Sequence, residues 1–370
     1  MVVKNPINFN GLQAFCIVLA CIFPLRWDIV RDRKRSDMSE SVNKLVDKFG
    51  RHVDYIRLSV TDRCDFRCVY CMTEDMVFLP RTQILTLEEL YQIAKAFTEL
   101  GVKKIRLTGG EPMVRTDVMT LIEKLGALPG LEELNLTTNG AQLDKHAPAL
   151  KRAGVNRINI SIDSLNAGRF KQISRVGKLE KVLAGIEAAR EAGFDRIRLN
   201  SVIMRGYNED EVISLTDYAL DRDIDIAFIE EMPLGEASDH DRKETTCSND
   251  WVKSAISQKY ELINSTEQTA GPSRYAQIAG KKGRIGFISP VTHNFCEDCN
   301  RVRVTVEGRL LLCLGNEHSI DLRSILRDES SDIDDLKQAI IASMEIKPER
   351  HYFYDKEHAQ PVRLMNMTGG

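Results

Sequence analysis

Three cysteines, Cys64, Cys68 and Cys71, fall within eight residues at the spacing C-x3-C-x2-C. An odd set of thiols this close cannot pair off as disulfides and suits a metal cluster better. A four-iron cluster held by three cysteines keeps one iron without a protein ligand, free to bind a small molecule. The other reading is structural zinc, which takes four protein ligands, commonly in C-x2-C pairs. The x3 gap and the lack of a nearby fourth ligand weigh against zinc here. A second triplet, Cys296, Cys299 and Cys313, has the form C-x2-C-x13-C. On spacing alone zinc and iron–sulfur are equally compatible with it, with His293 or His318 as a fourth zinc ligand, though at unfavoured spacing. Arg301 and Arg303 follow Cys299 closely and share one face if the segment is a strand. Arginine forks match phosphate oxygens bidentately. A cluster beside two such forks suits a substrate with a coordinating heteroatom and a phosphate chain, whereas the arginines alone would read as a solvated hairpin face.

The elements that must position these groups repeat one unit: a short apolar strand, a loop, a helix. Strands are predicted at 55–60, 104–108, 134–138, 157–161, 196–203 and 225–230, and helices near 87–100, 117–125, 146–153, 179–192 and 209–221. Thr86 and Glu89 form a capping box at the first helix, and Gly101, Gly154 and Gly193 mark helix exits. Strands alternating with helices imply an α/β fold with a parallel sheet. Six strands suggest an incomplete (β/α)6 TIM-like barrel. Sites in such sheets form at the C-terminal strand ends. The cysteine loop falls there, as do Thr108-Gly109-Gly110-Glu111-Pro112, Thr137-Thr138-Asn139-Gly140, Ser161-Ile162-Asp163-Ser164, Asn200 to Arg205, and Glu230-Glu231-Met232-Pro233. Each could be turn chemistry alone; six in phase with the sheet argue for a shared cavity. Further on, a helix is expected at 251–263, a strand at 284–290, a hairpin of 301–306 and 309–314, a helix at 334–344, and a charged tail from 347.

The chain has 370 residues, 43% apolar and 28% charged, an ordinary globular balance, with a formal net charge of -3. That charge excludes nucleic-acid binding through bulk positive charge but allows a small polyanion held by local arginines. Six of nine cysteines lie in the two groups, which reads as a metalloprotein of a reducing compartment. Residues 1–45 read as an extension outside the fold, residues 46–235 as the partial barrel and residues 236–370 as a smaller C-terminal region. The apolar run 12–25 is too short for a membrane span, which needs about 20 residues. A secretory signal is the sharper reading of such a run, but the lead-in carries only Lys4 and the cleavage pattern is weak; the preferred reading is an upstream-start extension, with Met38 as the expected start.

The first triplet, with Tyr70 before its last cysteine, resembles the signature of the radical S-adenosyl-L-methionine (SAM) enzymes. The match then narrows. Residues 55–64, 106–112, 137–140, 161–165 and 228–230, the run from Cys296 to Arg303, Cys313 and the terminal Gly369-Gly370 resemble the molybdenum-cofactor biosynthesis protein A family, the GTP 3′,8-cyclases. The resemblance implies a barrel of the radical SAM type with a C-terminal auxiliary-cluster domain, two 4Fe-4S clusters and SAM. It implies that Cys64, Cys68 and Cys71 hold the SAM cluster, and that Tyr70, Gly110, Ser161 and Met232 contact SAM. Cys296, Cys299 and Cys313 would hold the second cluster. Arg57, Arg106, Thr137, Arg198, Arg301, Val302 and Arg303 would contact GTP. Arg57 and the double glycine Gly369-Gly370, which enters the active site, would be catalytic. Arg198 stands where the family commonly has lysine, so the charge is kept while its geometry differs. The implied reaction takes hydrogen from C3′ of GTP and joins C3′ to C8, the first step of molybdenum cofactor (molybdopterin) biosynthesis. Implied partners are GTP, a flavodoxin-type electron donor and the next enzyme, cyclic pyranopterin monophosphate synthase; a homodimer is compatible. Neither nucleic acid nor a membrane is expected as a partner, and the cytoplasm is the expected location. Two other classes remain at this stage. One is a radical SAM peptide-modifying enzyme, which would not need Arg301 and Arg303. The other is a non-catalytic zinc protein.

Overall fold

Each predicted strand from 55 to 230 forms because alternate apolar residues can be buried against helices on one side. The strands are β1 (Tyr55–Ser59), β2 (Lys104–Thr108), β3 (Glu133–Thr138), β4 (Val155–Ser161), β5 (Arg196–Val202) and β6 (Asp225–Ile229). The structure is a computed structural model, and it describes residues 45–235, 241–265, 271–353 and 363–369. Residues 1–44 of the expected extension and Gly370 lie outside the described residues; Leu45, placed at the end of that extension, is buried in the core instead, its carbonyl accepting from Val53 N–H at 2.8 Å. The intervening helices are α1 (Leu87–Glu99), α2 (Val118–Gly126), α3 (Leu143–Arg152), α4 (Ala167–Ser174), α5 (Leu179–Glu191) and α6 (Val212–Leu220). The capping box is present: Thr86 Oγ1 accepts from Glu89 N–H at 3.1 Å, and Glu89 Oε2 accepts from Thr86 N–H at 2.7 Å.

Strands β1 to β6 pair in parallel and in sequence order, as expected of the incomplete barrel. Two strands from the C-terminal region extend the parallel stretch. β10 (Arg301–Val304) pairs with β1, and β9 (Ile285–Ile288) pairs with β6. Antiparallel strands β11 (Arg309–Leu311) and β12 (Ser319–Asp321) follow at one edge. β8 (Arg274–Gln277) and β7 (Ile263–Asn264) follow at the other. One sheet thus runs across the boundary at residue 235.

Several local expectations shift. The helix expected at 251–263 is Asn249–Ser257, capped by Ser248, whose hydroxyl accepts from Trp251 N–H at 3.2 Å. The hairpin strands are shorter than expected. The segment from 347 is not simply a charged tail: Lys347, Asn366 and Thr368 are buried.

The strand alternation sorts the residues. Ile56, Leu58, Ile105, Leu107, Leu134, Leu136, Ile158 and Ile160 belong to the apolar core. Arg57, Arg106, Asn135, Asn159 and Arg198 occupy the alternate positions. Arg57 stands opposite both Arg303 and Arg106, and Asn159 stands opposite Arg198. Cross-strand neighbours on one face lie about 5 Å apart, so the register alone builds a belt of arginines inside the sheet.

Candidate active site

The inward face encloses a cavity of about 540 Å³, and all six cysteines of the two triplets line it. So do Arg57, Arg106, Thr137, Arg198, Arg301, Val302 and Arg303, together with Tyr70, Gly110, Ser161 and Met232. The sequence-predicted residues that are described, apart from Gly369, therefore converge on one space.

The first triplet sits on the loop after β1. That loop is pressed against the next one: Gly110 N–H donates to Thr61 O at 2.7 Å, and Glu111 N–H donates to Arg63 O at 2.8 Å. A Cβ on Gly110 would lie 2.3 Å from Arg63 O, so only glycine permits the approach. Buried Glu111 accepts from Thr138 Oγ1 at 2.8 Å and from Asn139 N–H at 2.6 Å. Burial, only partly offset by these donors, lifts Glu111 to about 7. Tyr70 OH donates to Asp163 Oδ2 at 2.8 Å, and Asp163 is raised to about 6, again by burial. Burial raises all three thiols, reinforced by Glu111 at Cys64 and by Asp163 at Cys68; Cys71 is pushed up to about 12. Buried thiols of this kind become thiolates when a cationic metal centre takes them.

The second triplet comes from two places, the loop before β10 and the segment after β11. Burial raises Cys296 and Cys313. At Cys299 burial also opposes the thiolate, but Lys347 and Arg301 outweigh it and bring the thiol below its ordinary value. Arg51 clasps this region, donating to Cys296 O at 2.7 Å and Pro348 O at 2.6 Å while paired with Asp47. Among the described residues no three His, Cys, Asp or Glu side chains are arranged to hold a single metal ion. A mononuclear zinc site would draw its ligands to about 2.0–2.3 Å of one point, whereas an iron–sulfur cluster spreads its thiolates over several irons. His293 pairs with Asp250 at 2.9 Å, and His318 is exposed. Three cysteines in each set are donors that an iron–sulfur cluster accepts.

The arginine belt lines the same cavity. Arg106 donates to Tyr55 OH and, at 3.4 Å, to Thr137 Oγ1. With its amide oxygen turned inward, Asn159 accepts from Arg106 at 3.1 Å and Arg198 at 2.7 Å. Burial and the neighbouring Arg303 push Arg57 well below the ordinary arginine range. Burial and Arg301 bring Arg303 down to about 10. Burial opposes ionisation of Tyr55, yet Arg106 and Arg57 outweigh it and lower the phenol to about 8. Such crowding of guanidinium groups is relieved by a bound polyanion.

The C-terminal segment also reaches this space. Asn366 Nδ2 donates to Asp62 O at 2.9 Å, and Gly369 O accepts from Arg303 at 3.4 Å. Gly369 has φ +78°, and a Cβ there would meet Thr108 Oγ1 at 2.3 Å. Sequence reading missed the parts played by Asn159, Tyr275, Lys347 and Asn366. Asn159 was detectable from strand alternation; the other three depend on contacts between distant segments.

The Radical SAM superfamily model matches residues 58–219. Among solved structures, that of Streptococcus suis SuiB is similar with TM-score 0.55 at 14% identity, covering 81% of this chain and 68% of that one. SuiB bound to S-adenosylmethionine gives TM-score 0.54 at 14% identity, covering 85% and 73%. Identity this low speaks to the fold alone. Fold, family model and site together define a radical SAM enzyme. The Molybdenum Cofactor Synthesis C model matches residues 224–353. GTP 3′,8-cyclases of Pseudomonas putida (strain W619) and Pseudomonas syringae pv. syringae (strain B728a) are 56% and 58% identical over 334 residues, 90% of this chain and 100% of each relative. The chain belongs to the GTP 3′,8-cyclase family.

Proposed function

We propose that the protein converts GTP to (8S)-3′,8-cyclo-7,8-dihydroguanosine 5′-triphosphate, the first step of molybdenum cofactor biosynthesis. The observation that carries this reading is the single cavity of about 540 Å³ lined by both cysteine triplets and the arginine belt. Cys64, Cys68 and Cys71 would hold the cluster that binds SAM, and this pair would supply the radical chemistry directed at C3′ of GTP. Tyr70, Gly110, Ser161 and Met232 orient SAM from the strand ends. Cys296, Cys299 and Cys313 would hold a second 4Fe-4S cluster, whose open iron would offer a binding place for the guanine. Arg57, Arg106, Thr137, Arg198, Arg301, Arg303 and the backbone of Val302 hold the nucleotide, with the guanidinium forks on the triphosphate. Fixing both ends of GTP places C3′ for attack, which matters because a primary carbon radical reacts with whatever lies nearest. Arg57 and the Gly369-Gly370 end shape that reacting region.

Residues 46–235 bind SAM, while GTP is shared: Arg57, Arg106, Thr137 and Arg198 come from that region, and the second cluster, Arg301, Val302 and Arg303 from residues 236–370. Partners under this reading are a flavodoxin-type reductant and, through the product, cyclic pyranopterin monophosphate synthase; a homodimer is compatible. The proposed location is the cytoplasm. Among the described residues no helix is long and apolar enough to cross a membrane. The deciding assay is anaerobic, with reductant, SAM and GTP. Cyclised nucleotide formed in step with SAM cleavage supports the proposal. SAM cleavage indifferent to GTP, or stoichiometric zinc at the second triplet, overturns it.

A further inference from the structure

Lys347 is buried to 1% exposure, and a lysine ammonium has three protons to place. All three find acceptors. Nζ lies 2.8 Å from Leu312 O, 3.3 Å from Arg301 O and 3.7 Å from Cys299 Sγ. None of these is a carboxylate, and Lys347 makes no ion pair among the described residues. Nearby Arg51 shows the usual arrangement, with Asp47 as its counter-ion at 2.6 Å. A buried cation without a counter-charge is costly and is retained where something supplies the missing negative charge.

We propose that Lys347 is the counter-charge and positioning residue of the second cluster. This rests on the reading that Cys296, Cys299 and Cys313 hold a 4Fe-4S cluster. A cluster bound by three thiolates is anionic, and gaining an electron makes it more so. A cation donating to a ligand sulfur therefore favours the reduced form, since net charge and hydrogen bonds to sulfur set the potential. The same ammonium ties the carbonyls of Arg301 and Leu312, which adjoin the phosphate-facing strand and Cys313. One side chain thereby links the cluster's electronics to the strand that carries Arg301 and Arg303.

The test uses the full chain with Cys64, Cys68 and Cys71 replaced by alanine, so that only the second site can hold iron. Lys347→Met and Lys347→Arg are compared with that parent by redox titration and iron analysis. Lys347→Met should lower the midpoint potential by at least the tenfold change in reduced-to-oxidised ratio that corresponds to about 59 mV for one electron. Lys347→Arg should restore most of it. An unchanged potential in an iron-loaded Lys347→Met protein overturns the inference. Zinc, or no iron, in the parent overturns the underlying cluster reading instead. If Lys347→Met does not load iron, Lys347→Gln, which keeps a donor to the two carbonyls but not the charge, decides by the same titration: its potential should fall as expected for Lys347→Met while that of Lys347→Arg stays close to the parent's. A Lys347→Gln potential equal to the parent's, or Lys347→Arg and Lys347→Gln shifting alike, overturns the inference.

Discussion

The two cysteine triplets line one cavity yet stand in opposite electrostatic surroundings. Cys64, Cys68 and Cys71 come from one short loop, with Asp65, Glu111 and Asp163 as charged neighbours, and all three thiols are raised. Cys296, Cys299 and Cys313 come from separate segments bordered by Arg51, Arg301 and Lys347, and Cys299 is lowered. A compact acidic site needs positive charge brought to it, and SAM is a cationic sulfonium. A dispersed basic site suits an anion, and GTP is one. On the proposed reading, one cavity thus offers two oppositely charged ligands separate surroundings before any specific contact is made.

That contrast can be broken from either end. Replacing Cys64, Cys68 and Cys71 by alanine should abolish SAM cleavage and remove about half of roughly eight irons, four per cluster; iron analysis and deoxyadenosine release measure both. Replacing Cys296, Cys299 and Cys313 should leave uncoupled SAM cleavage but weaken GTP binding at least tenfold, about 1.4 kcal/mol or more, as read by equilibrium dialysis. Equal loss of SAM cleavage in both triple variants would erase the distinction. Arg301→Ala or Arg303→Ala should cost about 1–3 kcal/mol of GTP affinity, the scale for losing a charged hydrogen-bond partner, again with SAM cleavage retained. Gly369→Ala should act on coupling. Its left-handed backbone costs a side chain about 1–2 kcal/mol and its Cβ meets Thr108, so product per SAM consumed should drop about fivefold while both clusters load normally.

The smallest effect tests how far the basic field extends beyond the triplet. Tyr275 OH accepts from Arg198 at 3.0 Å and Arg157 at 3.2 Å. Burial opposes its ionisation, but Arg198 and Arg157 prevail and bring it to about 8. Because this is below the ordinary phenol value of about 10, the stabilisation is full above pH ~10 and is lost as pH falls through 8. Melts of iron-free protein should show the native chain gaining on Tyr275→Phe between pH ~8 and ~10; parallel profiles would remove Tyr275 from the field.

Much of this was legible in sequence. The repeated strand–helix unit predicted β1 to β6, and the cysteine spacing with Arg301 and Arg303 marked residues that line the cavity. What escaped was short or distant. β7, β8 and β12 span two to four residues, too few for a period to show. α4, with Phe170 and Ile173 buried on only two turns, gave a weak pattern between stronger ones. Lys347 reads as a charged tail residue because nothing in its neighbourhood announces Cys299. Gly110 and Gly369 sit in recognised motifs, but the backbone each must approach becomes visible only in the fold.

The placement of β9 and β10 has a consequence for synthesis on the ribosome. Strands β1 to β6 emerge in order and can pair as they emerge, but their two outer edges lack parallel neighbours until β9 and β10 have been made. The link closing the β1 side spans 246 residues, where Asn300 donates to Asp54 at 2.6 Å. Contacts this distant in sequence are late and slow to form, and open parallel edges invite pairing with other chains meanwhile. The chain therefore completes its arginine belt, with Arg303 beside Arg57, and seals its vulnerable edge in the same event. A nascent chain that has set Arg303 beside Arg57 is one that has already covered its open β1 edge.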